Sequence, residues 1–173
     1  GTVEVKSKVN LGTTFTVTLP YSITSEPIKA DHKTAATETE LNTLAGKKIL
    51  LVEDNAFNQI VAVDTLEAII PGIKVEVAEN GKVSLEKLRE GNFDLVLMDI
   101  QMPVMDGYEA TRNIREDFQE PKRSIPVIAL TASATLAEIE RCFEAGMNDC
   151  ISKPFTPEIL LQKISWAFAK PVS

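Results

Sequence analysis

Hydrophobic and polar positions change rhythm twice along the chain. In residues 1–20, GTVEVKSKVNLGTTFTVTLP, apolar residues alternate with polar ones. Val3, Val5 and Val9 belong to one run, Phe15, Val17 and Leu19 to a second, and Asn10-Leu11-Gly12 sits between them. Strict alternation of this kind predicts a β-hairpin with one buried face. Twenty residues hold no independent core, so such a hairpin needs something to pack against. Residues 21–46 lose the rhythm. They are rich in Thr, Ala, Ser and Glu around Pro27, which predicts a linker with a short helical stretch near Ala35–Leu44.

From Gly46 onward, unbroken apolar runs alternate with longer periodic stretches. KILLVE (48–53) and FDLVLMD (93–99) have the composition of strands buried on both faces. IKVEVAE (73–79), PVIALTA (126–132) and CISK (150–153) supply three more strands. Between them lie helical patterns. Asn55 is placed to cap the first, which carries Phe57, Ile60, Val61, Leu66, Ile69 and Ile70 and stops at Pro71-Gly72. Asn80-Gly81 opens a second with Val83, Leu85 and Leu88, and the third starts near Gly107 behind Asp106, with Glu109 completing a capping box. The fourth ends at Gly146, with Leu136, Ile139 and Phe143 as its expected core face and Cys142 joining them. The last begins at Pro157 behind a Thr156 cap. Five strands alternating with five helices imply an α/β fold with a parallel sheet covered on both faces, plus the N-terminal hairpin; the doubly wound, flavodoxin-like order 2-1-3-4-5 is an arrangement open to it.

Charge and composition narrow the functions open to such a fold. The chain has 173 residues, with 18 Lys and Arg against 25 Asp and Glu, for a formal charge of -7. Nothing resembles the basic stripe of a nucleic-acid binder. No apolar run approaches the roughly 18 residues that span a bilayer, so no membrane contact and a cytoplasmic location are expected. Cys142 and Cys150 are too few for a disulfide framework and lack metal-ligand spacing. His32 is the one histidine and falls in the linker, where a solvated residue is expected rather than a catalytic one.

The chemistry is sought where open α/β sheets place it, beyond the carboxyl ends of the strands at the point where strand order reverses. The first strand ends in Glu53-Asp54, the third in Asp99, the fourth in Thr131 and the fifth in Lys153-Pro154. With the order 2-1-3-4-5, the first and third strands are neighbours, so three carboxylates converge opposite a hydroxyl and an ammonium. A single strand-end acid most often just caps the next helix. Three together repel and call for a cation. Lys153 is one; a magnesium ion, which takes about six oxygens and keeps several waters beside one or two carboxylates, is the other expected. Asp54 and Asp99 are its natural direct ligands, with Glu53 acting directly or through water.

On these residues, 47–170 resembles a receiver domain of two-component phosphorelay signalling. The matching text is Leu51-Val52-Glu53-Asp54-Asn55, LVLMDIQMPVMDG (95–107), ALTA (129–132) and SKPF (152–155). The resemblance implies that Asp99 is the phospho-acceptor and that Glu53 and Asp54 are the acidic pair holding Mg2+. Gln101 would offer its backbone carbonyl as a further metal ligand. It also implies that Thr131 contacts the phosphoryl group, that Lys153 pairs with it, and that the Lys153–Pro154 bond is cis. The physical logic agrees. An ionised carboxylate can attack phosphorus without a general base, and catalysis is then positioning plus cationic stabilisation. The donor implied is a phospho-histidine on the dimerisation domain of a histidine kinase, and the onward acceptor a histidine phosphotransfer protein.

Residues 1–20 resemble the C-terminal hairpin of a histidine kinase ATP-binding domain, through Gly12-Thr13-Thr14-Phe15 followed by Leu19-Pro20. The implied parent is a hybrid sensor kinase, itself open to membrane anchoring. The implied organisation is a hairpin remnant at 1–20, a linker at 21–46 and a receiver at 47–170. Without glycine-rich nucleotide loops this stretch is not expected to bind ATP, and its only catalysis would be its own phosphorylation and dephosphorylation. One departure stands out. Three residues before the lysine, such receivers carry Tyr or Phe; here it is Cys150, which puts the usual coupling of a threonine to a moving ring in doubt. Met98, Met102 and Met105 are expected to pack, and Trp166 to serve packing or a partner. Among rivals, a haloacid-dehalogenase-type phosphatase needs a second Asp where Gln101 stands. A flavin carrier needs a phosphate-cradling loop where Glu53-Asp54 would repel phosphate. The alternative kept open is a stand-alone or pseudo-receiver module that binds without phosphotransfer.

Overall fold

The computed structural model describes residues 1–8, 12–20, 41, 43–133 and 135–169. The expected turn residues Asn10 and Leu11, His32 and most of the expected linker lie outside the described residues. The chain divides into two units, 1–33 and 34–173.

In the first unit, β1 (Thr2–Lys8) and β2 (Gly12–Thr18) pair antiparallel, with Val3 opposite Val17 and Val5 opposite Phe15. The hairpin therefore forms in the register its alternation requires. The expected buried face is not found, however. Val3, Val5, Phe15 and Val17 are all more than half exposed. Two strands alone make a single layer with no core of their own.

The second unit is a five-stranded parallel sheet of β3 (Lys48–Val52), β4 (Lys74–Ala78), β5 (Leu95–Asp99), β6 (Val127–Thr131) and β7 (Asp149–Ser152). Its order is β4-β3-β5-β6-β7, the expected 2-1-3-4-5 within this unit. Helices α1 (Ala56–Ile69), α2 (Gly81–Glu90), α3 (Gly107–Asp117) and α4 (Leu136–Glu144) make the four crossovers, and α5 (Pro157–Ala169) follows β7. Period-two alternation along each strand feeds two cores. Ile49, Leu51, Leu95, Leu97, Ile128 and Leu130 meet Leu66 of α1 and Leu160 and Ile164 of α5 on one face. Leu50, Val52, Val96, Met98, Val127 and Ala129 meet Leu88 of α2, Ile114 of α3 and Cys142 of α4 on the other. Most of these are fully buried, and each large aliphatic contributes roughly 1.5–3 kcal/mol by leaving water. Leu44 is buried as well and joins the α1/α5 face.

Side chains fix where each helix starts. Asn55 Oδ1 accepts from the Phe57 and Asn58 amides at 2.9 and 3.2 Å, and Asn80 Oδ1 from Val83 N–H at 3.0 Å. Asp106 Oδ1 accepts from Glu109 N–H at 2.7 Å, as the capping box requires. Gly107 opens α3 because nothing larger fits: a Cβ there would lie 2.2 Å from the Asp99 carbonyl oxygen.

One expected core face is corrected. Leu136 is 80% exposed and Phe143 is 52% exposed, whereas Cys142 is buried. Residues 136, 139 and 143 do share a stripe, but α4 docks through Cys142, one position of about 100° from Phe143, which turns Leu136 and Phe143 outward and leaves Ile139 half-buried.

Candidate functional site

The carboxyl ends of four adjacent strands build one acidic pocket. Glu53 and Asp54 directly follow β3, Asp99 is the last residue of β5, Thr131 the last of β6, and Lys153 directly follows β7. Parallel pairing in register aligns these ends: Val52 lies opposite Met98, Asp99 opposite Leu130 and Thr131 opposite Ser152. Residues distant in sequence are thus brought side by side by the sheet itself.

Lys153 is the hub. Its ammonium donates to Glu53 Oε2 at 2.5 Å and to Asp99 Oδ2 at 2.7 Å. Glu53 and Asp99 are buried, at 2% and 7% exposure, while Asp54 is exposed. The Lys153–Pro154 peptide is cis, as expected. The Lys153 backbone N–H donates to the Thr131 carbonyl at 2.7 Å, which ties β7 to β6 at the pocket. The Thr131 hydroxyl is turned toward its own loop: it donates to the Ser133 carbonyl at 2.8 Å and accepts from Ser133 N–H at 3.2 Å. Gln101 meets the pocket through its backbone N–H, which donates to Asp99 Oδ1 at 3.3 Å.

The electrostatics follow from three carboxylates sharing one ammonium. Burial pushes the Asp99 carboxyl above its ordinary value, and the Glu53 charge adds to this while Lys153 and the Gln101 amide oppose it. For Lys153, burial works against the charged form, but the hydrogen bonds and charges of Asp99 and Glu53 carry it above the ordinary lysine value. Lys153 holds its proton and leaves the cluster with a surplus of negative charge. One carboxylate oxygen from each of Glu53, Asp54 and Asp99 lies within 4.8 Å of the others. An all-oxygen donor set, partly open to water through Asp54, fits a hard divalent cation such as magnesium. These residues suit the ion.

Two contributors escaped the sequence reading. Asn58 Nδ2 donates to Glu53 Oε1 at 2.8 Å, and Gln59 Nε2 donates to the Glu53 carbonyl at 2.6 Å. Both stand in the first turn of α1, directly after the acidic pair, which is the one signal that could have found them. The methionines behave as expected: Met98 and Met102 are buried and Met105 packs against the same core. At the departure noted above, Cys150 is half-buried against this core, and burial pushes its thiol up. Tyr108 on α3 belongs to the same core, beside Cys142 and beneath the Arg141 guanidinium at 4.8 Å from the ring centroid.

Comparison with known proteins agrees with this geometry. Residues 49–165 match the family described as the response regulator receiver domain. The sensor protein EvgS of Escherichia coli is 33% identical over 165 residues, covering 95% of this chain and 13% of that protein. The chain spans 10–14% of the length of the first curated relatives it matches. The receiver domain of the sensor histidine kinase PA1611 from Pseudomonas aeruginosa, solved with magnesium coordinated in its active-site cleft, is 43% identical. It covers 72% of this chain and 99% of its own, with a TM-score of 0.62. The receiver domain of Ssk1 from Saccharomyces cerevisiae, crystallised with the histidine phosphotransfer protein Ypd1, is 31% identical, covering 70% of this chain and 88% of its own at a TM-score of 0.63.

Proposed function

This chain belongs to the response regulator receiver domain family, and from that membership we propose that it accepts a phosphoryl group from a phospho-histidine onto Asp99. The observation that carries the reading is the Lys153 ammonium held 2.7 Å from a buried Asp99 beside two further carboxylates. Asp99 attacks phosphorus through a carboxylate oxygen, and the P–N bond to the donor imidazole breaks in line. Lys153, already charged and already at Asp99, meets the negative charge that spreads over the equatorial oxygens. The Thr131 hydroxyl needs only a side-chain rotation away from Ser133 to donate to the same group. Glu53, Asp54, Asp99 and the Gln101 carbonyl are the residues that would hold Mg2+, which neutralises phosphoryl charge when bound.

The donor we assign is the phospho-histidine of a kinase dimerisation domain, and the onward acceptor a histidine phosphotransfer protein. The complex known for the Ssk1 receiver supports the second. A hybrid sensor kinase is the parent we infer. Because the EvgS match covers 95% of this chain, it reaches beyond the receiver into the N-terminal residues. On this reading 1–20 is the closing hairpin of an ATP-binding domain, 21–46 a linker and 47–170 the receiver. A cytoplasmic location follows from the phospho-donor; among the described residues no helix is long and apolar enough to cross a membrane.

The test is incubation with acetyl phosphate and MgCl2 followed by intact mass. A single phosphoryl adduct on the native chain, lost in Asp99→Asn, is the expected result. An unmodified native chain would refute the reading in favour of a binding module without phosphotransfer.

A further inference from the structure

We propose that Asn58 is a positioning residue for the metal-holding carboxylates, setting the orientation of Glu53 from the first turn of α1. The inference rests on the reading of the pocket as a magnesium-dependent phospho-acceptor site and extends it to a residue outside the acidic cluster. Glu53 is 2% exposed, so each of its oxygens depends on a protein partner rather than on water. Oε2 is taken by Lys153 at 2.5 Å. Oε1 is taken by Asn58 Nδ2 at 2.8 Å, with only a long 3.4 Å contact from Asn55 N–H beside it. Asn58 is therefore the one strong donor to that oxygen among the described residues.

Geometry explains why it matters. A carboxylate held at one end alone pivots about that contact; held at both ends it keeps a fixed plane. The ammonium and the amide lie on opposite oxygens and so define the plane in which Glu53 faces Asp54 and Asp99. Gln59 fixes the other half of the residue by donating to its carbonyl at 2.6 Å. Asn58 itself is anchored: its backbone amide binds the Asn55 cap at 3.2 Å, and its side chain projects from a helix whose start that cap determines. Partners that orient metal-binding groups in this way are worth about 10–100-fold in metal affinity.

Asn58 is exposed on a helix surface, so Asn58→Ala removes the amide without a core defect. The experiment is a MgCl2 titration of the full chain by calorimetry, paired with acetyl phosphate labelling rates across the same magnesium range. Asn58→Ala is expected to weaken magnesium binding about tenfold and to shift half-maximal labelling to about tenfold higher magnesium. The labelling rate at saturating magnesium stays within about twofold of native, because Asp99 and Lys153 are untouched. Phe57→Ala, next door and with a side chain 73% exposed, shifts neither. An unchanged magnesium affinity in Asn58→Ala would overturn the positioning role. So would a fall in the saturated rate at an unchanged midpoint, which marks a packing role for the turn. A native chain that binds no magnesium overturns the reading of the pocket itself, and this role with it.

Discussion

Replacing Lys153 by Met separates the electrostatic work of the pocket from its shape. The change keeps most of the volume of the side chain and removes its charge. At 2.5 Å to Glu53 and 2.7 Å to Asp99, with an effective dielectric constant of about 20, each ion pair of Lys153 represents about 6–7 kcal/mol of attraction before desolvation is subtracted. Removing one partner of a buried pair leaves the other carboxylate uncompensated and costs roughly 3–5 kcal/mol. The Lys153 side chain is 22% exposed, so solvent recovers part of this; about 2–3 kcal/mol remains. For a domain of this size that is a fall of about 8–12 °C in melting temperature, measured in EDTA. Magnesium then discriminates. Without the ammonium the three carboxylates are unopposed, so the cation binds Lys153→Met at least as tightly as the native chain. At about 100 times its dissociation constant it returns about 2.7 kcal/mol. In magnesium the variant thus regains about the stability of the native chain in EDTA, while its labelling by acetyl phosphate in magnesium falls sharply. Equal melting temperatures for native and variant in EDTA would refute the account, because the pocket would then carry no electrostatic strain for Lys153 to relieve.

Two further outcomes are expected. Gly107→Ala places a methyl 2.2 Å from the Asp99 carbonyl oxygen, so either α3 or the end of β5 must move; urea titration should show a loss of about 1–3 kcal/mol and labelling of Asp99 should slow. An undiminished urea midpoint would mean the helix start yields freely. At the sheet edge, hydrogen bonds from Lys48 and then Lys87 hold Glu76 below its ordinary 4.5, so its stabilisation is complete above that pH and fades as pH falls through the lower native value. Glu76→Gln should cost under about 1 kcal/mol at pH 7, and the cost should vanish once pH falls below the native titration of Glu76, in thermal melts at low salt; a cost independent of pH would exclude the ion pairs as its source.

The acidic pocket was legible because its members sit at the ends of apolar runs, and a parallel sheet carries such ends to one edge. Glu53, Asp99 and Lys153 needed only the strand order to meet. Asn58 and Gln59 were not legible, since two amides on a helix read as solvated until the crossover places that first turn over the pocket. The α4 stripe failed for a related reason. Spacing gives the phase of Leu136, Ile139 and Phe143 relative to each other but not which way the helix is rolled against the sheet. Cys142, expected to join that face as a small hydrophobe, is buried in the core as expected. The hairpin paired in the register its alternation requires, yet alternation is silent on what lies against the apolar face.

The bond from Lys153 to Glu53 closes a loop of 100 residues, and its bond to Asp99 one of 54. The second needs β5, β6 and β7 side by side and the first needs β3 beside them as well, which is among the slowest and most entropically demanding events in assembling such a sheet. Competence for chemistry is therefore also proof of completed folding. A nascent or partly unfolded copy has the same aspartate and no pocket around it, so on the proposed reading acetyl phosphate leaves it unlabelled.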